Sequence, residues 1–269
     1  MKDHLLQIVR AAPTEQRANL AREYLQIYLL RLLHEAGSTA DLAFVGGTAL
    51  RVLHRLPRFS EHLDFSLEPT AKRPRPDIAR LFARIGRALS DAGYESAVKA
   101  KSERTVAHAF FRFRGIPREV GWSRDPEQAL SIKLEIDLRP PRGAIVEMTL
   151  VHRFFPVSLR HYDLPSLFAG KLHAILARRW AKGRDWFDLV WYLTGQVGLE
   201  PNLVLLRNAL EQTGHAALLR DDDWRHAVMG RLDALDWKAV LADLRPFVER
   251  RADLDMLSKE AIRKLLERP

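Results

Sequence analysis

The sequence predicts a mixed α+β fold joined to an all-helical half, and two patterns carry that expectation. Residues 62–67, His-Leu-Asp-Phe-Ser-Leu, alternate with period two, as a half-buried strand requires, and Ser131 to Leu138 alternates in the same way. From Leu164 onward every apolar pattern has helical spacing. The boundary falls near residue 160, giving a core of 1–160 with N-terminal helices and a helical lobe of 161–269. A chain of 269 residues with 47% hydrophobic and 29% charged residues can bury a full core and has no disordered composition.

The elements follow in order. Leu20, Tyr24, Ile27 and Tyr28 stand at i, i+4, i+7 and i+8, so residues 15–36 read as an amphipathic helix stopped by Gly37. Leu42 to Val45 is a buried strand entering Gly46-Gly47, after which Thr48 to Leu56 reads as helix ended by Pro57. Residues 69–76 carry three prolines and three basic residues, an exposed loop, and residues 77–91 are helical. Thr105 to Phe113 and Ser131 to Leu138 are strands; after the turn at Pro140-Pro141 and Gly143, Val146 to Val151 is expected as a hairpin partner. The expected helices beyond are 164–179, 185–195, 202–213, 222–233, 237–249 and 257–267. Five tryptophans, Trp180, Trp186, Trp191, Trp224 and Trp237, sit at helical positions and are expected in the core rather than as base-stacking platforms.

With no cysteine, disulfide scaffolds, zinc ribbons and thiol nucleophiles are excluded, and a metal would need oxygen or histidine ligands. Asp3, His4 and Arg10 interrupt the first residues too early for a signal peptide, so the cytoplasm is the expected location and no membrane is involved. His152, His161 and His173 have no metal-site spacing and read as structural or surface residues. Lys plus Arg outnumber Asp plus Glu by 43 to 34, a net charge of +9 that favours polyanionic partners. Arginine supplies 33 of those 43 cations, a skew that base composition alone can also produce.

Phe44 to Leu53 joins a strand to a helix through two glycines, a geometry that brings backbone N–H groups and a helix N-terminus to a phosphate chain. The same pattern also serves as a plain tight turn, and without a Gly-Lys-Ser/Thr end it is not a Walker loop. On the next strand His62, Asp64 and Ser66 share one face, and oxygen ligands two residues apart are how a strand grips Mg²⁺ carrying a triphosphate. Lys133, Glu135 and Asp137 form a second polar face, which could equally be a solvated strand edge. Lys171 lies on the apolar stripe of Leu164, Leu167, Phe168, Leu172 and Ile175, so its ammonium must snorkel or meet an anion. Arg184 and Asp188 have ion-pair spacing, and a helix this apolar implies that Asp185 and Asp188 are buried and partnered, or that Asp185 caps the helix.

Val45 to Arg51 and Arg58 to Phe65, with Lys133 to Asp137 and the Asp163 to Asp188 stretch downstream, resemble the AbiEii/AbiGii nucleotidyltransferase toxins, which include the MenT toxins, within the polymerase-β-like superfamily. The resemblance implies a polymerase-β-like mixed sheet with flanking helices plus the helical lobe, with the site in the cleft between them. It implies transfer of a nucleotide from an NTP to an RNA acceptor, most naturally the tRNA 3′ end, by a toxin restrained by an antitoxin. By the same resemblance Gly46, Gly47, Thr48, Ser60 and Lys171 bind the nucleotide. Asp64, His62 and Asp137 hold Mg²⁺ or Mn²⁺, and Asp64, Asp137, Lys171 and Asp188 are catalytic. The basic loop of Lys72, Arg73 and Arg75, with Arg178, Arg179 and Arg184, is expected to track RNA. His62 departs from the family pattern, replacing its first metal-binding aspartate with a poor Mg²⁺ ligand, which leaves a catalytically silent nucleotide- or RNA-binding relative as the alternative.

Overall fold

Helices and strands are mixed up to residue 162, and among the described residues every element after it is helical. In the computed structural model, which describes residues 1–37, 40–68, 77–102, 104–195, 198–220 and 222–267, the chain opens with α1 (Lys2–Arg10) and α2 (Thr14–Glu35). Next come β1 (Leu42–Val45), α3 (Gly46–His54), β2 (His62–Leu67), α4 (Ile78–Asp91), β3 (Ser96–Ser102) and β4 (Val106–Arg114). A short α5 (Ile116–Glu119), β5 (Ala129–Asp137), β6 (Val146–His152) and β7 (Pro156–Tyr162) complete the α+β part. The remainder is α6 (Leu164–Ala177), α7 (Gly183–Gly195), α8 (Leu203–Gln212), α9 (Trp224–Asp233), α10 (Trp237–Leu244), α11 (Ala252–Asp255) and α12 (Lys259–Leu266). Two compact units result: Met1–His54 with Phe59–Pro140 and Glu147–His161, and Arg55–Arg58 with Pro141–Val146 and Tyr162–Pro269.

The seven strands form one mixed sheet in the order β3-β4-β5-β2-β1-β7-β6. β2 runs parallel to β5 and antiparallel to β1, while β1 is parallel to β7. The apolar sides of the central strands fill the first unit's core: Leu63 and Phe65 of β2 and Ile132, Leu134 and Ile136 of β5 are all buried. The 146–151 segment does not pair with β5 as the sequence suggests. The strand immediately before β5 already holds that edge, because β4 matches it residue for residue from Val106 against Asp137 to Arg114 against Ala129. β6 therefore lies at the sheet's edge beside β7.

Helix α2 is not amphipathic in the expected sense. Every residue from Glu23 to Leu30 is buried, so the helix is enclosed on all sides along its middle turns and includes a buried acid, Glu23. The helix starts of the second unit are set locally. Asp163, Asn202, Asp223, Asp236 and Ser258 each accept a hydrogen bond from the backbone N–H three residues on, satisfying a donor the helix itself leaves open.

Candidate functional site

In the first unit, β1 turns into α3 at Gly46, whose φ of +79° is left-handed. A Cβ built there would stand 2.6 Å from Oδ2 of Asp64, so this position needs glycine for its backbone and for the carboxylate packed against it. That approach follows from register, because antiparallel pairing sets Val45 of β1 opposite Asp64. Thr48, buried one turn into α3, donates its hydroxyl hydrogen bond to the His62 carbonyl and ties the helix to β2.

The parallel register of β2 and β5 pairs His62 with Lys133, Asp64 with Glu135 and Ser66 with Asp137. Neighbouring strands lie about 4.8 Å apart, so Glu135 is the carboxylate beside Asp64 and Asp137 is one step along. Sequence alone points to Asp137; the direct neighbour emerges only from the pairing. Asp64, Glu135 and Asp137 are half-buried, Ser66 is buried and His62 is exposed. Glu135 is ion-paired with Lys133 on its own strand, and Asp137 Oδ1 accepts the Arg139 N–H at 2.8 Å. Burial pushes the Asp137 carboxyl up, opposed by the Arg139 N–H and reinforced by Glu135.

The motif residues around this face are held by buried polar contacts. Gln26 Nε2 donates to the Ser60 carbonyl at 3.1 Å. Arg51 clamps Glu23 with Nε at 2.5 Å and Nη2 at 3.1 Å, and its guanidinium lies 4.2 Å from the Phe59 ring centre. Arg153 adds a second guanidinium to Glu23 at 3.0 Å. Glu23 thus carries two cations, which is what allows an acid inside an apolar helix.

In the second unit, Lys171 meets carboxylates of its own unit. Its ammonium is 2.6 Å from Asp188 and 3.1 Å from Asp185. Asp188 has no exposed surface and receives both arms of the Arg58 guanidinium at 2.6 Å each. Arg178 pairs with Asp185. Burial alone would push the Asp185 carboxyl up, but Lys171, Arg178 and Arg58 outweigh it and hold it below its ordinary value. Two motifs 130 residues apart in sequence, those of Arg58 and Asp188, are therefore joined by a two-armed ion pair. The burial of Asp188 is readable in the sequence; the identity of its partner is not. Gly183 opens α7 where a Cβ would stand 2.0 Å from the Val240 carbonyl oxygen, so its place in the motif is set by the packing of α7 on α10.

The expected RNA-binding arginines also belong to the second unit. Arg178 and Arg179 lie in the exposed connection between α6 and α7, and Arg184 sits with its guanidinium 4.1 Å from the Phe247 ring centre. Lys72, Arg73 and Arg75 lie outside the described residues. Trp186 and Trp224 are core residues as expected, Trp191 and Trp237 are only half-buried, and Trp180 lies outside the core: α6 ends at Ala177, and the indole stands 74% exposed.

Among the described residues no group of three or more His, Asp or Glu side chains is gathered so as to hold a metal ion. Mg²⁺ is commonly bound by one or two carboxylates together with substrate phosphates, and the Asp64, Glu135 and Asp137 row offers hard oxygen donors of that kind. No helix among the described residues is long and apolar enough to cross a membrane.

Residues 27–268 match the nucleotidyl transferase AbiEii toxin family of type IV toxin–antitoxin systems. The chain belongs to the AbiEii family. Among solved structures, it is similar to the nucleotidyltransferase toxin MenT4 of Mycobacterium tuberculosis H37Rv, with a TM-score of 0.57 and 18% identity over 98% of this chain and 87% of that one. A putative nucleotidyltransferase from H. pylori is similar at a TM-score of 0.53 and 18% identity, covering 92% of this chain and 90% of the other. JHP933 from Helicobacter pylori reaches 0.50 at 18% identity, covering 92% and 88%. At such identities the likeness establishes the shared fold. No curated protein matches the sequence. In this AbiEii chain the glycine turn, the strand carboxylates and the Lys171 cluster are the three places where the motif residues concentrate.

Proposed function

We propose that this AbiEii-family protein transfers a nucleotide from an NTP to RNA, with the tRNA 3′ end as acceptor, as a cytoplasmic toxin restrained by an antitoxin. The observation that carries the reading is Asp64, set against the Gly46 turn on one side and beside Glu135 on the other. Backbone N–H groups at Gly46 and Gly47, at the start of α3, bind the phosphates, where the helix dipole favours negative charge. Ser60 positions the nucleotide beside them. Asp64 and Asp137 would hold Mg²⁺, or Mn²⁺ with His62, and such an ion neutralises triphosphate charge and favours ionisation of an attacking hydroxyl. Asp137 accepts the proton of the acceptor hydroxyl as its oxygen attacks the α-phosphate of the NTP and pyrophosphate leaves. Arg178, Arg179 and Arg184 hold RNA phosphates. Asp185 and Asp188 act as positioning residues, fixing Lys171 and Arg58.

The exposed imidazole of His62, opposite Lys133 where the family pattern has an aspartate, supports a second reading: a relative that binds nucleotide or RNA without transfer. Incubating the purified protein with total RNA, each labelled NTP in turn and Mg²⁺ or Mn²⁺ separates the two. Label in RNA, lost in Asp64→Ala, is expected. Nucleotide binding with no label under any pairing would overturn transfer and leave the binding reading.

A further inference from the structure

The exposed Trp180 has no part in the core, and its surroundings say what it can meet. Residues 178–182, Arg-Arg-Trp-Ala-Lys, hold three cations, one aromatic ring and no acid, and all five are exposed. Both ends of this connection are fixed. The Arg178 carbonyl accepts Arg231 Nη2 at 2.7 Å, the Arg178 guanidinium is paired with Asp185, and the Gly183 N–H donates to Asp243 at 2.8 Å. Trp180 is thus presented to solvent on a pinned segment. Arg179 approaches the indole at 5.0 Å from the ring centre, a cation–π contact that orients the ring, and the 74% exposure leaves most of the indole open.

We propose that this connection is a stacking platform for an unpaired base of the acceptor RNA, with the Trp180 indole as the stacking face and Arg179 and Lys182 on the adjoining phosphates. The proposal rests on the reading of RNA as substrate and adds how its single-stranded end is held. Cations around a lone ring suit a polyanion with π-faces better than an apolar protein surface, which would need neighbouring apolar side chains that this segment lacks. Bases inside a duplex are paired and stacked on each other, so the platform favours unpaired nucleotides.

Binding of a fluorescent single-stranded RNA and of a blunt RNA duplex tests this on the full chain, with wild type, Trp180→Ala, Trp180→Phe and Arg179→Ala. Stacking on one aromatic is worth about tenfold in affinity or more, so Trp180→Ala is expected to weaken single-strand binding roughly tenfold while Trp180→Phe keeps most of it. Duplex affinity is expected to change less than about twofold when a ring that makes no stacking interaction there is removed. The salt slope is expected to stay the same in Trp180→Ala and, in Arg179→Ala, to flatten by about 0.7 for each phosphate that the arginine no longer neutralises. Wild-type binding that Trp180→Ala leaves intact, or an equal weakening on both RNAs, would overturn the platform alone. No RNA binding by the wild type would overturn the platform together with the RNA substrate. A Trp180→Ala variant that binds RNA normally but no longer associates with another protein would also overturn it and assign the ring to a protein partner.

Discussion

Asp64 and Asp188 are both motif aspartates, and the structure uses them in opposite ways. Asp188 is enclosed, with its two oxygens shared between Arg58 and Lys171 inside the second unit. Asp64 stands half-buried on a strand face of the first unit, against a glycine turn and next to Glu135. A carboxylate whose oxygens are saturated by buried cations holds structure, because removing it strands those cations away from water. A half-buried carboxylate in a row of others remains able to take part in chemistry. The contrast teaches that two aspartates of the same motif set can sit in opposite surroundings, one enclosed by buried cations and one on a half-buried strand face.

The largest effect expected from this contrast is on Asp188. Replacing it with alanine leaves the Arg58 guanidinium and the Lys171 ammonium buried without that counter-charge, a destabilisation of about 3–5 kcal/mol. Urea unfolding would register it as a lower midpoint for the transition that includes the second unit. A midpoint equal to wild type would mean that the buried pair contributes nothing and that Asp188 is free for another task.

Much of the fold is legible in the sequence, and the rest is hidden for identifiable reasons. The period of two in residues 62–67 locates β2 to the residue, and Asp77 and Asp163 mark helix starts because an acid at the N-cap binds the orphan N–H groups. β3 does not stand out because Ser96–Ser102 has no large apolar residue but Val98, and β7 because its Val157–Leu159 alternation is short and its third inward place is the polar His161. Trp180 reads as a core residue because its spacing continues the α6 pattern, whereas the helix ends three residues earlier at Ala177 with Arg178 already extended. In the site, Gly46, Asp64 and the burial of Asp188 can be read from the chain. The Asp64–Glu135 neighbourhood and the Arg58–Asp188 pair cannot, since both depend on pairing between distant segments.

A smaller effect concerns acid. The cations around Asp185 keep its carboxyl below the ordinary value in the folded state, so its contribution to stability is present above the unfolded value, near pH 4, and is lost as pH falls through the folded one. Melting curves from pH 6 to pH 3 are expected to show a shallower acid decline in Asp185→Asn than in wild type. Parallel declines would show that Asp185 does not gain its charge stabilisation from Lys171 and Arg178.

The smallest effect on stability is expected at His62. It is exposed, so His62→Asp should move stability by no more than about 0.5 kcal/mol. The same change adds a hard oxygen donor two residues from Asp64 on the same strand face, and Mg²⁺-dependent transfer is expected to rise. An unchanged or lower rate would show that position 62 takes no part in the metal site.

The most direct test of the contrast is Asp64→Asn, which keeps the side chain's size against the Gly46 turn and removes its charge, measured for melting temperature and for label transfer from NTP to RNA. The expected result is a melting temperature within about 2 °C of wild type, since little packing changes, together with transfer reduced at least about 100-fold. Transfer at the wild-type rate by a fully folded Asp64→Asn protein would contradict the assignment of the chemistry to the strand-face carboxylates.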